Sequence, residues 1–295
     1  MVNKVYYINL NYLCDNRCIF CYSHNTNQLK NSSLTFTKLK SLFEKYSISE
    51  KDRIILNGGE PLLHKEINEI LNFLHQKGVE ILIFTNGRNI RKLDAQCLNK
   101  NIRFIIPIHG DREIHNFITK DERSFDDTVD SLKWLADNNF QCQVDIKIIL
   151  NEKTIEENGF NSSLRVWKSL PFSSLHITKM MDTKTSITNG CISLEKERVN
   201  LYTSKLFNEF KDSKKIKLYS TCIKGIFKEK EYFIINNPLK IELLYIDYQS
   251  ERYITLERKE KECELNCRDS KFCLSEVDEY NVLEFYKNKI YKNME

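Results

Sequence analysis

The amino-acid sequence predicts an α/β fold, an open and partial (β/α) barrel of six units followed by a small α+β region. Between residues 5 and 180, short apolar runs alternate with segments of helical periodicity. The spacing of the runs leaves room for a helical crossover between neighbours, which parallel strands require. After about residue 190 this alternation stops. We therefore expect one domain over residues 1–185 and a second region over residues 186–295.

Six apolar runs are the predicted strands. They are Val5–Leu10, Arg53–Leu56, Val79–Phe84, Ile102–Ile108, Val144–Leu150 and Leu175–Ile177. Two intervening segments place apolar residues at i, i+3, i+4 and i+7, as amphipathic helices do. These residues are Leu39, Leu42, Phe43 and Tyr46 in the first segment, and Ile67, Ile70, Leu71 and Leu74 in the second. Gly78 then stands where a C′ glycine ends a helix, and Ser124 with Asp127 predicts a capping box at the start of a further helix.

The region after residue 190 predicts one long helix, short strands and a final helix. The long helix is expected over Ser193–Lys215, with four apolar residues on its buried side: Leu194, Leu201, Phe207 and Phe210. Turn residues separate the predicted strands, which are Glu231–Ile235, Lys240–Ile246 and Arg252–Leu256. The final helix is predicted over Ser275–Lys289.

The composition excludes several classes of partner. The net charge is +4 and the sequence pI is about 8.4. The basic runs Lys211–Lys217 and Arg258–Lys261 lack interleaved aromatic residues, so we interpret them as solvated helix faces or turns and expect no nucleic-acid partner. No run approaches the roughly 18 apolar residues of a membrane span, and Val5–Leu10 indicates a strand rather than a secretory signal. We therefore expect a cytoplasmic protein with no membrane association.

Three of the ten cysteines lie within eight residues, directly after the first predicted strand. Structural disulfides are not expected in a reducing cytoplasm, so these thiols predict a metal or catalytic site. Thiolates on a short loop are typical iron–sulfur ligands. A four-iron cluster held by Cys14, Cys18 and Cys21 keeps one iron open to an exogenous chelate. Two alternatives remain, a structural zinc site with His24 as the candidate fourth ligand and three buried apolar cysteines.

The spacing CxxxCxxC, with the aromatic Phe20 before the last cysteine, resembles the signature of the radical SAM superfamily. After the second predicted strand, Gly58-Gly59-Glu60-Pro61 is similar to the GGEP motif of that family. The resemblance implies a TIM-like partial barrel, a [4Fe–4S] cluster on the three cysteines, and S-adenosylmethionine bound at the open iron through its amino and carboxylate groups. The two glycines would let the backbone approach a ligand, and Glu60 would accept a hydrogen bond from the cofactor's ammonium group. Reductive cleavage of the cofactor would then start radical chemistry.

Further candidate residues follow later strands, where (β/α) barrels collect catalytic groups. Thr85-Asn86-Gly87 follows the third predicted strand, His109-Gly110 the fourth and Asn151 the fifth. By resemblance to the family, Asn86, His109 and Asn151 would contact the methionine, ribose or adenine of the cofactor. The alternative is that such residues only shape turns. The stretch Arg112–Leu135, which includes His115, is similar to peptide-modifying branches of the family.

The C-terminal region contains three closely spaced cysteines, which are Cys263, Cys267 and Cys273. Beside the radical-enzyme motifs, they predict an auxiliary [4Fe–4S] cluster rather than a zinc knuckle. Their layout resembles the twitch/SPASM-like auxiliary-cluster regions of the superfamily, with Cys222 as the first choice for a fourth ligand and Cys191 as the second. Without a fourth cysteine the cluster would keep an open iron for substrate, and Cys222 would then be free to donate a hydrogen atom to a substrate radical. Cys97 and Cys142 are interpreted as buried apolar residues.

Three functions follow as hypotheses. The leading one is a radical SAM enzyme that modifies a peptide by epimerisation, crosslinking or oxidation. The second is a dehydrogenase or dehydratase of the same family that acts on a small molecule, and the third is a non-enzymatic iron–sulfur or zinc protein. The enzymatic hypotheses imply a one-electron donor such as flavodoxin or ferredoxin. Oxygen-labile clusters imply an anaerobic or microaerobic setting for this oxidoreductase chemistry.

Overall fold

The computed structural model describes residues 4–21, 31–180, 182–210, 212–219 and 240–257 of the 295-residue chain. Nine strands within these ranges form one sheet. They are β1 (Val5–Asn9), β2 (Arg53–Asn57), β3 (Glu80–Phe84), β4 (Ile102–Pro107), β5 (Val144–Leu150), β6 (Ser174–Lys179), β7 (Lys215–Tyr219), β8 (Lys240–Ile246) and β9 (Glu251–Glu257). Their order across the sheet is β7-β6-β5-β4-β3-β2-β1-β8-β9. Every neighbouring pair is parallel except β8 and β9, which pair antiparallel.

Helices connect most of the parallel strands. They are α1 (Phe36–Lys45), α2 (Ile67–Gln76), α3 (Arg112–Thr119), α4 (Ser124–Asp137), α5 (Glu152–Ile155), α6 (Glu157–Ser169), α7 (Lys184–Thr188) and α8 (Lys196–Phe210). Between β3 and β4, two short 3-10 turns, Ile90–Lys92 and Ala95–Cys97, take the place of a longer helix. Because β1 to β8 are parallel, their carboxyl ends lie on one side of the sheet, which we call the carboxyl edge.

One face of the sheet packs against the helices and the other is more polar. Burial alternates residue by residue along β2, as the two-residue period of a strand requires. Ile8, Leu56, Ile83 and Ile146 are fully buried in the core on the helix side. Each such side chain contributes about 1.5–3 kcal/mol of burial free energy. Trp167 of α6 completes this core and donates from Nε1 to the carbonyl of Ile108 at 3.0 Å, which ties α6 to the carboxyl end of β4.

The α/β fold and the six predicted strands are confirmed. Strands β1 to β6 lie at the six predicted apolar runs, with small shifts at their ends. The strand predicted over Lys240–Ile246 is β8, and Arg252–Leu256 lies within β9. Since β7, β8 and β9 belong to the same sheet as β1 to β6, the sheet continues across the predicted boundary between residues 185 and 186. The expected division of the chain into two regions at this boundary therefore does not follow from the sheet, and it remains a proposal.

The helix predicted over Ser193–Lys215 is wrong at both ends. Helix α8 spans Lys196–Phe210, and Lys215 begins β7. The segment Lys215–Tyr219 alternates lysine with Ile and Leu before its last residue, which is the period of a strand, and parallel pairing with β6 supplies its backbone partners. Leu201, expected on the buried side of the helix, is 52% exposed. The basic run therefore includes a sheet strand and is not only a solvated helix or turn.

Two smaller predictions are also corrected. Ser124 is the first residue of α4 and not its cap, because Arg123 occupies the cap position without a side-chain hydrogen bond. The Ser124 hydroxyl is buried and bonds His115 Nε2 at 3.1 Å instead. Cys142, expected in the core, is exposed in a 3-10 turn before β5, because the chain enters the sheet only after that turn. Cys97 is buried, as predicted.

Several predicted elements lie outside the described residues. These are the strand over Glu231–Ile235 and the helix over Ser275–Lys289. Among the helices that the structure describes, none combines the length and the apolar character that crossing a membrane requires.

Candidate functional site

The cysteine loop, residues 10–21, leaves β1 at the carboxyl edge and is tied to the end of α3. The amide of Arg17 donates to the carbonyl of Thr119, and the amide of Ile19 donates to the carbonyl of Ile118, each at 2.9 Å. These two bonds hold the middle of the loop, while its first residues stay attached to the sheet through β1. The segment that carries the three thiols is therefore part of the packed structure.

Gly58 and Gly59 bring the loop after β2 against the cysteine loop. The amide of Gly59 donates to the carbonyl of Asn11 at 2.8 Å, and the amide of Glu60 donates to the carbonyl of Leu13 at 2.6 Å. A Cβ on Gly58 would lie 2.4 Å from the Asn11 oxygen, and a Cβ on Gly59 would lie 2.3 Å from the Leu13 oxygen. Both distances are too short for a side chain. The glycines thus allow a close approach to the cysteine-loop backbone, and their approach to a ligand remains a prediction.

The three thiols of the loop influence one another electrostatically. Burial raises the pKa of Cys14 to about 12, and the negative charges of Glu60 and Cys21 add to this effect. Burial also raises the pKa of Cys18 well above its ordinary value, and the negative charges of Cys21 and Cys14 raise it further. Three thiolates on one partly buried loop repel one another. They therefore need a compensating metal centre to be stable in the charged form.

The donor set fits an iron–sulfur cluster. Within the described ranges, no three His, Cys, Asp or Glu side chains converge on a point that a single metal ion could occupy. A cluster with four irons presents a separate iron to each thiolate, so its protein ligands stay apart. Three thiols on one loop match that requirement, which leaves the fourth iron for another ligand. His24, the candidate fourth ligand of a zinc site, lies outside the described residues.

Glu60 is a buried carboxylate at the carboxyl edge, with 1% of its surface exposed. Its Oε1 accepts from the Leu62 amide at 3.0 Å and from the Thr85 hydroxyl at 2.7 Å, and its Oε2 accepts from the Asn86 amide at 2.7 Å. Burial nevertheless raises the pKa of Glu60 to about 7, against the effect of these hydrogen bonds. None of the described residues that bond this carboxylate is a cation. The site therefore favours a positively charged ligand, and a contact with the cofactor ammonium remains a prediction.

Asn86 and Arg88 join the turn after β3 to the cysteine loop. The Asn86 side chain donates from Nδ2 to Asp15 Oδ1 at 2.5 Å. Arg88 Nη1 donates to the Asp15 carbonyl at 3.2 Å and to Asn16 Oδ1 at 2.9 Å. Sequence reasoning singled out Asn86 but missed Arg88, although an arginine directly after a strand-end turn was a visible signal. A cofactor contact of Asn86 is untested, since the described contact of its side-chain amide is with the loop.

His109 and His115 form a buried pair beside the cysteine loop. The His109 ring meets the ring of Phe20 edge-on at 5.2 Å and the ring of His115 at 5.3 Å. Burial lowers the pKa of His115 to about 3 and that of His109 well below its ordinary value, the latter helped by the charges of His115 and Lys147. Both rings are therefore neutral. In the described part of the chain, Nδ1 of His109 is buried and has no hydrogen-bond partner, as expected of a polar atom that faces a ligand.

Asn151 caps a helix at the end of β5. Its Oδ1 accepts from the amides of Lys153 and Thr154 at 3.0 and 3.3 Å, and its Nδ2 donates to the Ile149 carbonyl at 2.9 Å. The residue is fully buried and forms a capping box with Thr154. The alternative of a structural role, which the sequence left open, thus accounts for its side-chain bonds. Its contact with a cofactor remains a prediction.

Of the cysteines proposed for a second cluster, Cys191 alone lies in the described ranges. It is buried, and its Sγ lies 3.4 Å from the sulfur of Met180. These two residues pack with Ile19 and Ile118 in a small apolar cluster next to the cysteine loop. The other four lie outside the described residues and are Cys222, Cys263, Cys267 and Cys273.

Comparison with known families identifies the fold and the loop together. The profile of the Radical SAM superfamily matches residues 8–158, which are 151 of the 295 residues. The match includes the cysteine loop and the strand-end candidates up to Asn151. The chain belongs to the radical SAM superfamily. Membership in this superfamily implies a [4Fe–4S] cluster and S-adenosylmethionine as cofactors.

Curated relatives of this radical SAM superfamily member are distant in sequence. The AdoMet-dependent heme synthase of Methanosarcina barkeri is 23% identical over 222 residues, which are 73% of this chain and 60% of the relative. The Fe-coproporphyrin III synthase of the same organism is 20% identical over 192 residues, which are 64% of this chain and 48% of the relative. The chain therefore spans 60% or less of the length of these two relatives.

Several solved structures share the fold. SuiB of Streptococcus suis, bound to the precursor peptide SuiA, superposes with a TM-score of 0.60 at 12% identity, over 82% of this chain and 57% of that chain. The enzyme anSMEcpe with bound AdoMet superposes with a TM-score of 0.57 at 18% identity, over 73% of this chain and 61% of that chain. At such identities the likeness is one of fold.

Proposed function

We propose that the chain binds a [4Fe–4S] cluster through Cys14, Cys18 and Cys21, cleaves S-adenosylmethionine and abstracts a hydrogen atom from a peptide. The observation that carries the proposal is the packing of the cysteine loop against the Gly58–Glu60 loop at the carboxyl edge. When bound, the cluster and S-adenosylmethionine supply an electron and a sulfonium whose reductive cleavage yields a 5′-deoxyadenosyl radical. The protein contributes three thiolates and a buried carboxylate.

Each strand-end residue has an assigned role in this proposal. Glu60 offers its carboxylate to the cofactor ammonium, since it is buried and bonded only to neutral donors in the described structure. His109 turns its unpartnered Nδ1 toward the ligand, and Phe20 packs edge-on against that ring. Asn86 and Asn151 act from the turns after β3 and β5, where they shape the backbone around the cofactor. The neutral imidazole of His109 accepts or donates a hydrogen bond without adding charge.

A peptide is the substrate class that the structural likeness favours. SuiB was solved with its precursor peptide SuiA, and anSMEcpe was solved with bound peptides. The open barrel of this chain superposes on both folds. An extended peptide passes through an open barrel more readily than through a closed one. The reaction outcome within this class is epimerisation, crosslinking or oxidation.

A small-molecule substrate is the second candidate. It is favoured by the curated relatives, since the AdoMet-dependent heme synthase and the Fe-coproporphyrin III synthase align with 73% and 64% of this chain. Direct comparison decides between the two classes. The iron-loaded protein is incubated with reductant and AdoMet, once with a pool of synthetic peptides and once with an iron porphyrin. A peptide of changed mass supports the first candidate, and a changed porphyrin supports the second.

The C-terminal region is proposed to hold an auxiliary [4Fe–4S] cluster on Cys263, Cys267 and Cys273, with Cys222 as fourth ligand or hydrogen donor. Cys267→Ala then removes only the second cluster's share of the iron. An unchanged iron content in this variant contradicts the auxiliary cluster. An unchanged iron content in Cys222→Ala, together with loss of product, assigns Cys222 to hydrogen donation. Cys191, packed against Met180, is the reserve candidate for the fourth ligand.

The catalytic proposal is tested by anaerobic reconstitution with iron and sulfide, followed by reductant and AdoMet. Wild-type protein should release 5′-deoxyadenosine, whereas Cys18→Ala should release none and lose the iron of the first cluster. Cys142→Ala is the matched control, because this thiol is exposed and lies outside the cysteine loop. Release of 5′-deoxyadenosine from Cys18→Ala at the wild-type rate would contradict the assigned ligands. A reconstituted wild-type protein that releases none despite a bound cluster would contradict the activity.

A further inference from the structure

Arg88 is a buried cation at the centre of the site, with 6% of its side chain exposed. It follows the turn after β3, and its guanidinium group donates hydrogen bonds to three segments of the chain. Nε and Nη2 donate to Asp127 Oδ2 at 3.1 and 2.8 Å, and Nη1 donates to Asp121 Oδ2 at 3.1 Å. Nη1 also reaches the Asp15 carbonyl at 3.2 Å and Asn16 Oδ1 at 2.9 Å. One side chain therefore connects the cysteine loop to α4 and to the turn before it.

The residues that Arg88 contacts in the loop lie between the first two cysteines of the motif. Asp15 is also held by Asn86 Nδ2 at 2.5 Å and by Asn89 Nδ2 at 2.8 Å. The Asn16 side chain donates to the Ser124 hydroxyl at 3.2 Å. Because Cys14 and Cys18 flank this pair, the direction of the thiols depends on how the pair is held. A guanidinium with five donors suits such a fork-shaped junction better than an ammonium group.

Arg88 also sets the charge around the loop. It faces three carboxylates, since Asp121 and Asp127 bond it and the charge of Asp15 acts on it. Although burial acts against the charged form, these carboxylates keep the pKa of Arg88 above its ordinary value. Removing the guanidinium would leave the three negative charges without their shared cation. A less positive surrounding makes the uptake of an electron less favourable.

We propose that Arg88 is a positioning residue that fixes the cysteine loop and makes the cluster of this loop easier to reduce. The inference rests on the proposed function, because it assumes that the loop holds the cluster. It goes beyond that function by assigning one cation a part in both the geometry and the reduction potential.

The effect of Arg88 on the structure of the cysteine loop is tested in protein that holds no cluster. Hydrogen–deuterium exchange of residues 13–19 is measured in iron-free wild type, Arg88→Met, Arg88→Lys and Arg53→Met. Arg88→Met should speed exchange of the loop by about tenfold or more, since its anchors are lost. Arg88→Lys should stay close to Arg88→Met, because an ammonium cannot serve all the acceptors. Arg53→Met is the matched control, since Arg53 pairs with Glu80 at the amino ends of the strands, and should leave the loop unchanged.

The effect of the Arg88 charge on the reduction potential is tested on the iron-loaded proteins. The cluster is titrated with reductant, and electron paramagnetic resonance monitors its reduction. Arg88→Met should lower the equilibrium constant for reduction by about tenfold, which is a fall of about 59 mV for one electron. Arg88→Lys keeps the charge and should recover most of that loss. Asp127→Asn removes a negative charge while keeping the arginine, so it should shift the potential in the opposite direction. Asp127→Asn therefore also tests the effect of charge on the potential if Arg88→Met does not fold.

The outcomes separate this inference from the proposed function. Equal loop exchange and equal potential in wild type and Arg88→Met overturn the inference while the cluster assignment stands. A reduction potential lower in Asp127→Asn than in wild type overturns the proposed effect of the Arg88 charge on the cluster. A wild-type protein that takes up no cluster overturns the proposed function, and the exchange of the iron-free proteins still decides whether Arg88 holds the loop.

Discussion

The two ends of the sheet hold their buried carboxylates in different ways. Near the amino ends of the strands, Asp145 is fully buried, accepts from Arg103 Nη1 at 2.6 Å and contacts His176 Nε2 at 2.8 Å. At the carboxyl edge, the nearly buried Glu60 is bonded by two backbone amides and the Thr85 hydroxyl. A buried carboxylate beside a cation is compensated within the protein, whereas one bonded only by neutral donors is not. The carboxyl edge thus holds a carboxyl group whose charged form a cationic ligand, such as the ammonium and sulfonium of S-adenosylmethionine, would stabilise.

Buried side-chain atoms without a hydrogen-bond partner occur at both ends of the sheet in the described part of the chain; near the amino end of β5 they are Oε1 of Gln141 and Oε1 of Gln143. In the described part of the chain, Nδ1 of His109 and Oδ1 of Asn11 are buried at the carboxyl edge without a partner. Near the amino ends, Arg53 reaches both carboxylate oxygens of Glu80 at distances between 2.8 and 3.0 Å. Buried polar atoms without partners are rare in folded proteins and require an explanation. For His109 and Asn11, the position next to the cysteine loop is the explanation that we favour, since a bound ligand would supply the missing hydrogen bond.

The largest effect is expected from Gly59→Ala. A Cβ at this position meets the carbonyl carbon and oxygen of Leu13 at 2.7 and 2.3 Å, so the cysteine loop must move. Loss of the cluster on reconstitution and a stability cost of about 3 kcal/mol or more are predicted. Iron analysis and denaturant unfolding measure both. Gly78→Ala is the control at the other end of the sheet, where φ is +70° and the nearest atom is Glu50 Cβ at 3.4 Å, and it should cost about 1 kcal/mol and keep all iron.

Acid should destabilise the iron-free protein through His115. Its pKa is lowered by burial from 6.5 to about 3, so its stabilising contribution is complete above pH 6.5 and is lost as the pH falls toward 3. Between pH 6.5 and about 4 this loss is roughly 3 kcal/mol. Chemical unfolding across this range should show a shallower pH dependence in His115→Gln than in wild type. Equal slopes, with the exposed His75→Gln variant as reference, would contradict the burial of a neutral imidazole at this edge.

Glu60 should act with the opposite sign. Its folded-state pKa is raised by burial from 4.5 to about 7, so the folded protein binds more protons and loses stability as the pH rises from 4.5 to about 7. From pH 4.5 to about 6 the loss is roughly 2 kcal/mol. Glu60→Gln should remove this slope in the iron-free protein, as measured by the same unfolding series. A slope that persists in Glu60→Gln, and disappears instead in the exposed Glu44→Gln, would break the contrast drawn with Asp145.

The smallest effect is expected from Arg53→Met. The Arg53–Glu80 pair is one-third exposed on the arginine side, and such pairs contribute about 0–1 kcal/mol. The variant should keep its iron content and lose less than about 1 kcal/mol of unfolding free energy. A large loss of iron would show that the two ends of the sheet are coupled.

Local sequence signals were enough for the parts of the fold and site that depend on neighbours in the chain. The apolar runs predicted β1 to β6, and the turn residues on either side of Lys240–Ile246 predicted β8. The spacing of Cys14, Cys18 and Cys21 identified the loop that the family profile also contains.

Contacts between distant residues were not accessible in this way. The bond from Arg88 to the Asp15 carbonyl spans 73 positions, and no local pattern marks either residue as part of a pair. Ser124 illustrates the same limit, because its sequence context is that of a helix cap while its hydroxyl bonds Asn16, 108 positions away. Tertiary contacts therefore override local propensity at the positions that shape the site.

The most direct test of the central claim is the spectrum of the cysteine-loop cluster when it is the only one present. In a variant with Cys263, Cys267 and Cys273 replaced by alanine, reconstitution should load about four irons per chain. Addition of S-adenosylmethionine to the reduced protein should then change its electron paramagnetic resonance spectrum, because the cofactor binds the open iron. Bound zinc in place of iron, or an iron spectrum that the cofactor leaves unaltered, would contradict the account.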